Sequence, residues 1–353
     1  MSPVIATVLR LALLTLVAVT TASSPARAQS LSFSLLERYL ESLREEAGIP
    51  GLSAAVVQNG TIVWERGFGR QNVEAAVAAA PDTPYVLGGL SQTLGATLLL
   101  RKCLDEGHAD LTDHVRRWVS SYEDGVATLK QLLSHTGPSG AFTYNLQRFA
   151  ELTAVVEQCA SMRYPVGIAR EVFDRLGMTD AVPGRGLAAP TARDRQSFDA
   201  GRLAQYAGTL ERLATPYRVD SRRRAQRAEL PAADFDAATG VVASVRDLAK
   251  FDAALSDGVL LQRETLQASW TRAGAGAPTG LGWFVQAYNG EPVVWQFGQV
   301  KDAYSSLMLK VPNRRLTLIL LANSDGLSAP FSLEKGDVTA SLFATTFLRL
   351  LVQ

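Results

Sequence analysis

Two cysteines, three histidines and four methionines are all that 353 residues contain of the softer metal ligands. Neither Cys103 and Cys159 nor His108, His114 and His135 show the short spacings of a zinc site, so no metal and no cofactor is expected. Charge of one sign is equally lacking. Lys plus Arg is 35 against 34 acidic residues, which excludes the basic footprint of a nucleic-acid binder. Glycine (28) and proline (15) are too sparse for a collagen-like or low-complexity chain, and no repeat is visible. Past residue 30 no apolar run approaches the roughly 20 residues of a membrane-spanning helix. What remains, 47% hydrophobic and 20% charged, is an ordinary globular composition.

The first residues differ from the rest. Arg10 precedes the apolar stretch Leu11 to Val19, and a small-residue segment closes on Ala26-Arg27-Ala28 ahead of Gln29. That order is the pattern of a secretory signal peptide. Residues 1–28 are read as the signal, and 29–353 as one exported domain with no membrane span after cleavage. The alternative is an uncleaved anchor, since only Arg10 interrupts Val4 to Thr20. An oxidising compartment permits a disulfide. Cys103 and Cys159, in apolar helical surroundings, are nevertheless read as two buried free thiols.

Hydrophobic spacing orders the remainder. Residues 31–47 repeat at helical period, and two strands, Leu52 to Gln58 and Thr61 to Gly67, flank the hairpin dipeptide Asn59-Gly60. A helical region follows over about 92–256, with helices at Thr93 to Glu106, around Leu129 to Leu133, and at Glu151 to Ala160. Its last helix opens on Ser244-Val-Arg-Asp247, a capping-box pattern. Strand signals return at Leu281 to Tyr288, Pro292 to Phe297, Tyr304 to Val311 and Leu316 to Leu321, and Val338 to Leu351 closes the chain as a helix. The fold class is therefore α/β (α+β): a mainly antiparallel sheet assembled from about 50–70 and 280–322, flanked by helices, with a helical region inserted. Five arginines between Arg218 and Arg227 read as a solvated loop, with an anionic-ligand rim as the sharper alternative. Trp283, Phe284, Trp295 and Phe297 read as sheet core rather than a ligand platform, and Gly184 to Ala189 as loop rather than a dinucleotide fingerprint.

The run Thr83 to Thr97 (TPYVLGGLSQTLGAT), then Leu104-Asp-Glu-Gly107, Leu129 to Thr136 (LKQLLSHT), Arg175-Leu-Gly-Met-Thr179, Gly240 to Phe251 and Leu320-Leu-Ala-Asn-Ser324, resembles the serine β-lactamase and penicillin-binding-protein-like family. The resemblance covers nearly all of the chain after the signal and implies a β-lactamase/transpeptidase-like fold. It also implies three motifs. The first is Ser-x-x-Lys, which sets a nucleophile and its activating base three residues apart on one helical face. Gly89 stands at the serine position and Gln92 at the lysine position. Glycine has nothing to acylate, and a neutral amide has no proton equilibrium near pH 7. Ser91 is the fallback nucleophile, but Leu94 follows it at the base position, so it reads as a helix-start hydroxyl.

The second motif, Tyr-x-Asn, keeps Tyr144 and has Leu146 third, with Asn145 adjacent. The third, Lys or His, one residue, then Gly, has Gln296 in the charged slot and keeps Gly298. Lys301 is read as a solvated loop lysine rather than a substitute cation. Nucleophile, base and clamp are thus changed together. The expected function is that of an exported, catalytically inactive relative whose old cleft binds a peptide or cell-wall fragment through Tyr144, Asn145, Gln296 and Gly298. An active serine hydrolase with a non-standard nucleophile and a partner-binding regulator are the alternatives, and the oligomeric state is left open.

Overall fold

The computed structural model describes residues 25–230 and 235–352. The signal segment expected at 1–28 lies outside the described residues up to position 24. Helix α1 (Pro25–Ala47) leads into β1 (Gly51–Gln58) and β2 (Thr61–Asn72). Asn59 and Gly60 both take positive φ (52° and 77°), which a two-residue hairpin turn of this twist requires. A two-residue edge strand the pattern did not announce, β3 (Val77–Ala78), pairs with β2.

Far along the chain come β4 (Phe284–Tyr288), β5 (Glu291–Val300), β6 (Tyr304–Val311) and β7 (Leu316–Ala322). The sheet runs β3-β2-β1-β7-β6-β5-β4, every neighbour antiparallel. Its two halves meet where β1 pairs with β7, from Leu52 opposite Ala322 to Gln58 opposite Leu316.

Side chains alternate between two cores, as a period of two demands. Leu52, Ala54, Val56, Trp295, Leu307, Leu309, Leu318 and Leu320 pack against Leu36 and Leu40 of α1 and against Phe343 and Phe347 of the closing helix, Leu342–Leu351. Ala55, Val57, Val294, Met308, Ile319 and Leu321 face the helical region on the other side. Both faces of β6 and β7 are therefore covered, and the polar side chains they carry, Ser305, Ser306, Lys310 and Thr317, are buried with hydrogen-bond partners.

The helical region contains α2 (Ser91–Leu99), which passes into a π turn at Leu100–Leu104, then α3 (Leu129–Leu133), α4 (Leu146–Ala150), α5 (Leu152–Cys159) and α6 (Val245–Ser256). Three expectations need correcting here. Cys103 and Cys159 are not free thiols but a disulfide, because α2 and α5 pack side by side and bring the two Cα atoms to 5.8 Å. The Ser244 cap is only half a capping box. Ser244 Oγ accepts from Asp247 N, but the Asp247 carboxylate accepts from Asp180 N instead of closing the box. The arginine-rich stretch is solvated at all five arginines as expected, but it is ordered as a short hairpin rather than a loop, Tyr217–Val219 with Ala225–Arg227, its turn gathered on the Asp220 carboxylate. No helix among the described residues is long and apolar enough to cross a membrane.

Candidate active site

A tight turn, Gly88–Leu90, precedes α2 and is clamped to the sheet from two sides. Leu87 N donates to Val241 O, and Leu87 O accepts from Ser306 Oγ at 2.7 Å. Gly298 lies so close beneath that a Cβ there would stand 1.8 Å from Leu87 O, so only glycine allows β5 to approach the turn. The Gly298 position is thus explained by packing; its missing side chain admits the turn rather than a ligand.

Next to Gly89 a chain of three neutral groups fills the site. His135 follows α3 in a left-handed conformation (φ 53°) that turns its imidazole inward, where it is 2% exposed. Its ring packs against Phe149 at 5.3 Å and Tyr144 at 4.7 Å between centroids. Asn145 N donates to Nδ1 at 3.1 Å, so the proton sits on Nε2, which donates to Gln92 Oε1 at 2.7 Å. Gln92 Nε2 in turn donates to the Tyr144 hydroxyl at 2.8 Å. Burial, reinforced by the Arg148 charge, depresses the imidazole to about 3. Burial also pushes the Tyr144 phenol well above its ordinary range, against the opposing hydrogen bond from Gln92. At neutral pH nothing in this chain is ionised, so none of it is a proton acceptor of useful strength.

The Tyr144 hydroxyl takes the space a side chain at residue 89 would need. A Cβ built on Gly89 lies 2.7 Å from that oxygen, 3.1 Å from Phe297 O and 3.5 Å from Gln92 Nε2. Above it opens a cavity of about 300 Å³ lined by Gly89, Tyr144, Leu146, Phe297, Gln299, Lys301 and Glu334. The lining holds no serine, threonine or cysteine.

The residues singled out from the sequence thus fall into two groups. Gly89, Gln92 and Tyr144 come together, and Leu146 joins them at the cavity. Gln296 is 1% exposed and turned away, donating to Gly282 O at 3.2 Å and accepting from Phe297 N. Asn145 is spent as the cap of α4, accepting from Arg148 N. Ser91 is fully buried, accepts from Val241 N at 3.2 Å and lines no part of the cavity.

Besides Gln299 and Glu334 of the lining, three contributors were not singled out. His135 stood in the LLSHT stretch as a scaffold mark, and no local signal announces its left-handed backbone. Phe297, read as core, also presents its carbonyl and ring to the cleft. Lys301, set aside as solvated, is exposed as expected yet borders the cavity, opposite in charge to Glu334.

A family model described as Beta-lactamase matches residues 36–338. The chain belongs to the beta-lactamase family. Among curated relatives it is 23% identical over 270 residues to PbpX of Bacillus subtilis (strain 168), a penicillin-binding protein by name; the match covers 68% of this chain and 63% of that protein. The octameric penicillin-binding protein homologue from Pyrococcus abyssi superposes with a TM-score of 0.72 at 19% identity, covering 91% of this chain and 77% of the other. A class C beta lactamase from Rhodobacter sphaeroides gives 0.67 at 17% identity, covering 91% and 100%. At these identities the structural likeness establishes the fold alone.

Proposed function

We propose that this chain is an exported, non-hydrolytic member of the beta-lactamase family that binds a peptide or cell-wall-type fragment in its cleft. One observation carries the reading: the Tyr144 hydroxyl, held by Gln92, stands 2.7 Å from where residue 89 would place a Cβ. The space of the reactive side chain is filled, and the network filling it is neutral throughout. Acyl transfer needs a nucleophile and a base in hydrogen-bond contact. Here the position of the first is glycine and that of the second an amide with both ends engaged. Export rests on the 1–28 pattern and is supported by the Cys103–Cys159 disulfide, a linkage that persists in oxidising compartments.

Incubation with a fluorescent penicillin and with a fluorophosphonate, read by intact mass, is expected to leave the protein unmodified. A covalent adduct on any serine overturns the non-hydrolytic reading. Edman sequencing of the exported product is expected to start at Gln29; a chain that stays whole and membrane-bound overturns the export half.

A further inference from the structure

The cavity has an apolar wall and a charged mouth. Phe297, Leu146 and the Tyr144 ring form the wall. Lys301 sits at the mouth on the β5–β6 turn, whose backbone is fixed by Ala303 N to Val300 O (3.0 Å) and Asp302 N to the Asp325 carboxylate (3.0 Å). Glu334 reaches the same mouth from a short helical turn, Leu333–Lys335, anchored by fully buried Leu333 and by Gly336 N to Leu333 O at 2.9 Å. No hydrogen bond or ion pair ties Lys301 or Glu334 to another described side chain. The carboxylate is nonetheless near enough to the cleft that its charge helps hold the Tyr144 phenol up.

Two opposite charges on rigid supports, not neutralising each other, impose a selection rule. A purely anionic ligand meets Glu334 and a purely cationic one meets Lys301. A neutral one gains from neither. A zwitterion satisfies each charge. At about 300 Å³ the cavity lies at the small end of ligand sites, which suits one or two residues rather than a polymer segment. Building on the reading of the cleft as a binding site, we propose that its ligand is a free amino acid or dipeptide with a large apolar side chain. Lys301 takes its carboxylate, Glu334 its ammonium, and the Phe297–Leu146–Tyr144 wall its side chain. The cation that position 296 no longer supplies is thereby provided from a different place in the fold.

Calorimetric titration with phenylalanine (each enantiomer), phenylalanine amide and N-acetylphenylalanine separates the terms. One enantiomer of the free amino acid is expected to bind at least about tenfold more tightly than its amide or its N-acetyl form. Lys301→Gln should close the gap to the amide, and Glu334→Gln the gap to the N-acetyl compound. Both side chains are exposed, so thermal melts of the variants should match the parent. Equal binding of all three compounds would refute the zwitterion while leaving a non-hydrolytic binding cleft. Absence of saturable binding up to about 10 mM would refute the ligand class outright. A penicillin adduct, by contrast, strikes the non-hydrolytic reading and not this one.

Discussion

Replacing Gly89 by serine tests the central geometry directly. The new Cβ would lie 2.7 Å from the Tyr144 hydroxyl, about 0.7 Å inside the 3.4 Å at which ordinary contact begins. Backbone strain is not at issue, since residue 89 does not use positive φ. Tyr144 has little room to yield, its ring being wedged among Phe297 at 5.3 Å, Phe284 at 5.8 Å and His135 at 4.7 Å. Overpacking of this kind costs about 1–3 kcal/mol. Loss of the Tyr144–Gln92 hydrogen bond adds about 0.5–1.5 kcal/mol. Removing a glycine from the unfolded chain returns about 0.4–1 kcal/mol. Gly89→Ser should therefore destabilise by about 0.5–4 kcal/mol, and Gly89→Ala by a similar amount.

The diagnostic partner is Tyr144→Phe, which removes the obstructing oxygen. Alone it should cost about 1–3 kcal/mol, because the buried Gln92 amide loses its acceptor. Combined with Gly89→Ser, the new hydroxyl stands close enough to Gln92 Nε2 to accept that hydrogen bond. The double variant should then be more stable than the sum of the singles by at least about 1.5 kcal/mol. Urea unfolding followed by tryptophan fluorescence measures all four corners of the cycle. Additivity within about 0.5 kcal/mol would show that the tyrosine oxygen does not occupy the side-chain space of residue 89.

Three other outcomes follow from particular contacts. Lys310, 2% exposed in β6, is paired with Asp252 of α6, which also accepts from Thr317 Oγ; Asp252→Asn strands the ammonium and should cost about 3–5 kcal/mol in urea unfolding, whereas a neutral effect would mean water reaches it. The Cys103–Cys159 bridge closes a loop across 56 residues, so Cys103→Ala/Cys159→Ala should lose about 4 kcal/mol on the chain-entropy model, and a reductant should lower the parent's Tm but not the variant's. His135 has its folded pKa depressed to about 3 from 6.5, so the unfolded chain binds the extra proton first. Its contribution is fully present above pH 6.5 and is lost as pH falls towards 3, with a slope of up to about 1.4 kcal/mol per pH unit. His135→Gln should flatten that limb of the stability profile, and an unchanged slope assigns it to other groups.

The sheet was legible because its signal is local. The Asn59-Gly60 turn marks β1 and β2, and the mostly apolar run of β7 announces burial on both faces. The emptied motif at Gly89 and Gln92 was legible for the same reason: two positions on one helical turn define it. The disulfide was not, since the separation of Cys103 and Cys159 is set by how α2 packs on α5, which no spacing encodes. Gln296 was read into the cleft from its motif position. Its amide instead satisfies Gly282 O, a partner that only the folded loop supplies. Lys301 and Glu334 share a cavity because a strand turn and a distant helical turn converge, and in the sequence each is one more surface charge.

Whether the cleft still admits an acyl group separates a filled site from a collapsed one, and Gly89→Ser with Gln92→Lys decides it. Gln92 Nε2 lies 3.5 Å from the Cβ position of residue 89, so a lysine nitrogen placed there comes within reach of a serine hydroxyl. Position 92 is fully buried, and desolvation lowers a lysine pKa, favouring the free amine that a base requires. Recognition would remain weak, because Gln296 brings no charge and faces Gly282. Slow labelling of the double variant by a fluorescent penicillin, at residue 89 and absent from either single variant, is the expected result. A folded but unlabelled double variant would mean that Tyr144 excludes the acyl group even when nucleophile and base are supplied. The about 300 Å³ above Gly89 would then be a binding cavity whose floor no longer opens.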